Sequence, residues 1–196
     1  MRKLSPRLIF PTRILHVDEE DFSYQQDLIE YCYRYSKNHP PNIRSNVDGY
    51  QTDGTLLLDE EFKSKFYPRI LNYINESTSA YIEGTKLEEN IKTKPLRVVS
   101  LWMNINPPGA YNVEHVHPGS VISGVMWIKV PEDSGKFYIN NPNMYNDHRF
   151  GQAGVTMNPK EGSMLVFPSW LPHSVGKNNS NQDRISISFN VAQQVF

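Results

Sequence analysis

Hydrophobic positions follow two different periods along the chain, and the change falls near Pro95. Upstream the period is helical. Leu28, Ile29, Cys32 and Tyr35 recur at helix spacing within 18–38, which predicts one amphipathic helix. Asp18 or Asp21 is placed to cap its start, and Pro40-Pro41 to end it. Within 59–81, Phe62, Phe66, Ile70 and Ile74 fall four apart on one helix face. Pro68 interrupts that run and predicts a kink or a split into two helices, and Gly84 is a stop signal. Between the helices lies RSNVDGYQTDG, 44–54, whose two Asp-Gly pairs predict a loop or a short strand pair.

Downstream of Pro95 short apolar or alternating runs are separated by turn residues. They predict strands at 97–106, 112–117, 121–130, 136–140, 154–157, 163–167, 173–177 and 184–192. The punctuation is Pro-Pro-Gly at 107–109, Asp-Ser-Gly at 133–135, Lys-Glu-Gly at 160–162 and the Asn-rich loop 178–183. Many short strands with regular turns suggest a sandwich or barrel, including the double-sheet jelly roll. No repeat, low-complexity tract or linker divides the chain. The expectation is a single domain over 1–196, with helical support and a loop in 1–94 and a β core in 95–196.

Composition narrows the partners. A chain of 196 residues is long enough for a domain with a real core. A net charge of −1 gives no electrostatic case for nucleic acid or an anionic membrane. The single cysteine, Cys32, cannot form an internal disulfide, so a reducing compartment is expected. The basic start MRKLSPRLIFPTRIL has an apolar run broken by Pro11 and Arg13, too short for a signal peptide or membrane span. A cytoplasmic location is the resulting expectation, and the Asn-x-Ser matches at Asn75 and Asn178 read as chance.

Candidate chemistry begins with EHVHPGSVISGVMW, 114–127. Side chains two apart on a strand share a face, so His115 and His117 would project together as a claw for a divalent metal. Taken alone such a pair is equally two hydrogen-bonded histidines. His173 follows an apolar strand and a Pro-bounded turn. In RISISFNV, Ile185, Ile187, Phe189 and Val191 take one face, and Arg184, Ser186, Ser188 and Asn190 the other. In a jelly roll that polar face lines the cavity between the sheets, where an arginine needs an anionic or polar partner.

Arg184 stands eleven residues after His173, and Ser186 completes Arg-x-Ser. With the His-x-His pair, this spacing resembles the Fe(II)- and 2-oxoglutarate-dependent oxygenases. NPPGAYNVEHVHPGSVISGVMWIKVP, SGKFYINNP, PKEGSMLVFPSWLPHSV and RISISFNV resemble the subgroup related to prolyl hydroxylases. The likeness covers 44–192 and is strongest from Asn104 onward. It departs at Asp48-Gly49-Tyr50, where that subgroup usually shows Gly-Gly-Trp.

The resemblance implies a fold that is mainly β with N-terminal helices, a cupin-like double-stranded β-helix holding one Fe(II). It implies 2-oxoglutarate as cosubstrate, ascorbate as a reductant, and hydroxylation of a peptidyl proline, another peptide or a small molecule, with succinate and CO2 as coproducts. His115 would be the first metal ligand and His173 the last, with His117 where an acidic residue usually stands. Glu114 would substitute only if a bulge turned it round. Three neutral imidazoles leave the metal more positive than two with a carboxylate; thiol dioxygenases use three histidines on a related barrel. Arg184 would take the C5 carboxylate of 2-oxoglutarate through its planar fork, aided by Ser186. Asn104 and Tyr111 are candidates for the same ligand, each with an ordinary alternative as strand end or core. Trp170 is the tryptophan best placed for substrate, with Trp102 and Trp127 as core or rim. His16, His39 and His148 read as surface or structural, and Lys136 and Lys177 as solvated.

Two other functions stay open: a three-His oxygenase that does not use 2-oxoglutarate, and a non-catalytic cupin-like binding module. The loops 44–54 and 141–154 are expected to shape a substrate entrance. Dimers are common for such folds, although no apolar stripe demands one.

Overall fold

A computed structural model describes residues 11–18, 21–83, 85–91, 95–142 and 154–193. After strand β1 (Leu15–Asp18) come helix α1 (Gln25–Asn38), the short strands β2 (Asn46–Val47) and β3 (Tyr50–Gln51), and a 3-10 turn, Leu56–Leu58. Helices α2 (Glu60–Lys65), α3 (Tyr67–Ile82) and α4 (Lys86–Ile91) follow. The rest is β: β4 (Leu96–Asn106), β5 (Tyr111–His115), β6 (Ile122–Lys129), β7 (Phe137–Asn140), β8 (Gly154–Met157), β9 (Ser163–Pro168), β10 (His173–Val175) and β11 (Arg184–Gln193).

The strands form two antiparallel sheets. One has the order β1-β9-β6-β11-β4-β3, the other β2-β5-β10-β7-β8. From β4 onward the chain passes back and forth between the sheets, apart from the β7–β8 hairpin, which makes the fold a double-stranded β-helix. Period-two alternation divides the six-stranded sheet. Leu101, Met103, Ile185, Ile187, Phe189, Met126, Met164 and Val166 are buried in one cluster with Leu28, Cys32, Phe62, Phe66, Ile70 and Ile74 of the helices. The opposite face contributes Val125, Trp127, Leu165 and Phe167 to a second cluster with Phe137 and Ile139 of the other sheet. Each fully buried large apolar side chain contributes about 1.5–3 kcal/mol, so the sheet is anchored from both sides. Gly124 permits this packing. A Cβ there would come within 2.2 Å of the ring of Phe189, its register partner on β11.

The helix boundaries show which local signals prevailed. Neither Asp18 nor Asp21 caps α1. Pairing with Ser163 draws Asp18 into β1, and Asp21 accepts the Ser23 N–H in a turn before the helix. Tyr24 stands at the N-cap, and its side chain does not cap the helix. The 59–81 run splits at Phe66. Asp59 caps α2 by accepting the Phe62 N–H at 2.8 Å, and Pro68 falls in the first turn of α3, where its missing N–H costs nothing. The 44–54 segment forms β2 and β3 around Asp48, whose φ of 55° makes the turn. Gly84 and His148 lie outside the described residues. No described helix is long and apolar enough to cross a membrane.

Candidate metal centre and cosubstrate cavity

His115 closes β5, and His173 opens β10 directly opposite it in the antiparallel register. The strand predicted over 112–117 therefore stops two residues early. His117 lies beyond it, held by its own N–H donating to the Ser169 carbonyl at 2.9 Å. Strand alternation is thus not what unites His115 and His117. The strand end and this backbone bond bring their rings to 5.0 Å, with His115 and His173 at 4.3 Å and His117 and His173 at 5.0 Å. One nitrogen from each of the three lies within 4.8 Å of the others.

A bulge in β5 aims His115. Along β10, Val175 follows His173 by two residues, while their partners Asn112 and His115 are three apart. The extra residue lets both Asn112 and His115 line the same cavity. Glu114 remains exposed and accepts a hydrogen bond from the Asn140 amide; it is no part of the histidine cluster.

The backbone sets ring orientation. The Val113 carbonyl accepts from Nδ1 of His115 at 2.8 Å, and the Leu171 carbonyl from Nδ1 of His173 at 2.8 Å. In that tautomer Nε2 of each ring carries the lone pair that a metal would use, and that of His173 faces Nε2 of His117 at 3.2 Å. Phe137 stacks on the His173 ring and Phe167 meets it edge-on. Burial lowers the pKa of all three imidazoles. His117 falls to about 4, by burial and then the charge of His115. His173 falls to about 3, chiefly by burial and then by the same neighbour. At neutral pH the cluster is uncharged, as metal ligands must be.

The cavity runs from these rings along the inner face of β4 and β11. It is lined by Asn104, Ser186, Ser188 and Arg184, with Val125, Trp127, Phe137 and Phe167 as apolar walls. Trp102, a register partner of Ser188, touches His117 with ring centroids 5.4 Å apart. Arg184 lies four residues from Ser188, about 13 Å along the sheet at the usual strand rise. Its residue is 2% exposed, and Nη1 donates to the carbonyls of Ser134 at 2.6 Å, Gly135 at 3.4 Å and Gly176 at 3.5 Å. No carboxylate among the described residues pairs with it, and burial alone lowers its pKa to about 10. A buried cation held only by carbonyl dipoles favours an anionic ligand.

The remaining expected residues divide. Asn104 is buried, its Nδ2 reaching Ser188 Oγ at 3.4 Å while its Oδ1 lacks a protein partner. Ser186 lines the cavity beside it. Tyr111 does not: it is 37% exposed at the other end of β5, and the buried inward position belongs to Asn112. The β5 bulge, invisible in the residue pattern, makes that exchange. Asn112 bonds Asn106 and Ser45. Trp170 is 55% exposed and lines neither the cavity nor the groove beside it. Trp102 and Trp127 both line the cavity. His16 is exposed, His39 stacks on Tyr35, and Lys136 and Lys177 are exposed.

Fold and site together define a double-stranded β-helix whose cavity is lined by three uncharged imidazoles and a buried guanidinium. Residues 100–190 match the model of a family described as "Putative 2OG-Fe(II) oxygenase". No curated protein sequence matches the chain. Its fold is similar to that of a prolyl-4-hydroxylase from Pseudomonas putida (TM-score 0.68, 14% identity, 94% of each chain covered). A Trichoplax adhaerens prolyl hydroxylase, solved with a hypoxia inducible factor peptide fragment, matches at TM-score 0.60 and 11% identity, over 91% of this chain and 83% of that one. HygX from Streptomyces hygroscopicus, solved with nickel and 2-oxoglutarate, matches at TM-score 0.61 and 10% identity, over 94% and 84%. The matched stretch, which holds the three histidines and Arg184, is thus similar to the 2OG-Fe(II) oxygenase family, and the fold is prolyl-hydroxylase-like.

Proposed function

We propose that this protein is a dioxygenase that hydroxylates a C–H bond of a peptide or small molecule while converting 2-oxoglutarate to succinate and CO2. The observation that carries the proposal is one cavity lined both by three uncharged imidazoles and by a buried guanidinium without a carboxylate partner among the described residues. His115, His117 and His173 hold Fe(II), which when bound supplies dioxygen activation. Arg184 binds the distal carboxylate of 2-oxoglutarate, with Ser186 as a hydrogen-bond donor. Asn104 offers its amide to the same molecule. Phe137, Phe167, Trp127 and Val125 keep water from the cosubstrate and strengthen the charge pairing at Arg184. A peptidyl proline is the first substrate to try, given the prolyl hydroxylases among the similar folds.

The test is succinate formation by iron-loaded protein with 2-oxoglutarate and ascorbate, beside the thermal shift that 2-oxoglutarate produces. Turnover with stabilisation supports the proposal. Iron-loaded protein that consumes no 2-oxoglutarate and gains no stability from it sinks the proposal. It then favours an oxygenase of the thiol-dioxygenase kind or a binding module, both compatible with His117 in the slot usually acidic.

A further inference from the structure

The histidines also border a second hollow. An open groove is lined by Ser100, Asn190 and Gln51 from the six-stranded sheet and by Val113 and Val116 from β5 and the residues after it. Its apolar rim is exposed: Ile43 is 81% exposed, Val113 44% and Val116 40%. His115 and His117 line both hollows, and so does Trp102. Asn104 is the other long side chain that β4 gives the cavity, and the register partner of Trp102 on β11 is the small Ser188. The indole is therefore the bulkiest side chain where the closed cavity meets the open groove, half-buried and in ring contact with His117.

We propose that Trp102 is the specificity-determining wall of the primary-substrate site. The groove admits a molecule through an aliphatic, C–H-bearing group. That group packs on the indole and the valine rim beside the histidines, while the indole bars it and bulk water from the Arg184 cavity. This inference rests on the oxygenase function proposed above. The indole face and the valine rim match an apolar group to be oxidised, while Ser100, Asn190 and Gln51 line the groove beyond them.

Two measurements on the full chain test it. The first titrates Ni(II) into the metal-free protein and follows tryptophan emission. In a Trp127→Phe background, Trp102→Phe is expected to remove most of the remaining metal-induced quenching without changing Ni(II) affinity, since Trp170 stands apart from both hollows. Quenching undiminished in that variant overturns the placement of the indole beside the metal. The second measures succinate formed without primary substrate by the iron-loaded protein. Trp102→Ala is expected to raise this uncoupled turnover several-fold at saturating 2-oxoglutarate, with Trp102→Phe between it and wild type. Turnover that is present in wild type and identical in both variants overturns the inference alone. Wild-type protein that binds Ni(II) yet makes no succinate overturns the oxygenase function instead.

Discussion

His115 and His173 are register partners across β5 and β10, so a backbone ladder, not a loop, sets their 4.3 Å ring separation. Removing one ring should therefore abolish the metal site without unravelling the sheet. His173→Ala is expected to lose metal retention and the thermal stabilisation that metal gives wild type. At 100 times the dissociation constant that stabilisation is about 2.7 kcal/mol. Elemental analysis and melting curves with and without Ni(II) check this. A variant still stabilised to the wild-type extent refutes the role of His173.

Arg184→Ala separates the two ends of the cavity. Loss of a charge-assisted pair costs about 1.5–3 kcal/mol, a weakening of 2-oxoglutarate binding of about 10- to 150-fold. Metal affinity is expected to stay within about twofold, because Arg184 touches carbonyls and no histidine. Calorimetry on the Ni(II) form measures both. Parallel loss of metal and cosubstrate binding would show that Arg184 only holds the fold.

Acid should destabilise the metal-free protein through the same imidazoles. His117 and His173 titrate near 4 and 3 in the fold, against about 6.5 when unfolded. Between those values the unfolded chain binds more protons. The stability they contribute is complete above about pH 6.5 and is lost as pH falls toward 4 and 3. At pH 5 the loss is about 2 kcal/mol for each ring. Urea midpoints at pH 7 and pH 5 are expected to differ accordingly, and a His117→Gln, His173→Gln double variant to show a smaller difference. An equal difference in both proteins contradicts the assignment.

Gly135→Ala should act on the cosubstrate from a distance. Gly135 has a φ of 93°, and a Cβ there would lie 2.2 Å from the Gly176 carbonyl oxygen. That carbonyl, with those of Ser134 and Gly135, holds Arg184. The substitution is expected to cost about 1–3 kcal/mol of stability and to weaken 2-oxoglutarate more than Ni(II). Equal affinities for 2-oxoglutarate in variant and wild type would mean that the cradle does not position the guanidinium.

Much of the β-helix could be read from the residues because alternation there is strict. Ile185, Ile187, Phe189 and Val191 fill the helix-side core, while Arg184, Ser186 and Ser188 line the cavity. The His173-to-Arg184 spacing was legible because His173 and Arg184 sit on strands of opposite sheets that enclose one space. What escaped depends on long-range pairing. Strand β1 is too short to signal itself and exists through its register with β9. The end of β5 at His115 is set by its partner β10. The Tyr111-for-Asn112 exchange follows from a single extra residue that carries no composition of its own.

That extra residue makes the centre depend on how β5 pairs with β10 more than on residue identity. A regular β5 of the same length, without the bulge, would leave Asn112 and His115, three residues apart, on opposite sides of the strand. The two sheets would keep their helices and their packed layers. The resulting protein would be a well-folded shell whose first imidazole faces solvent.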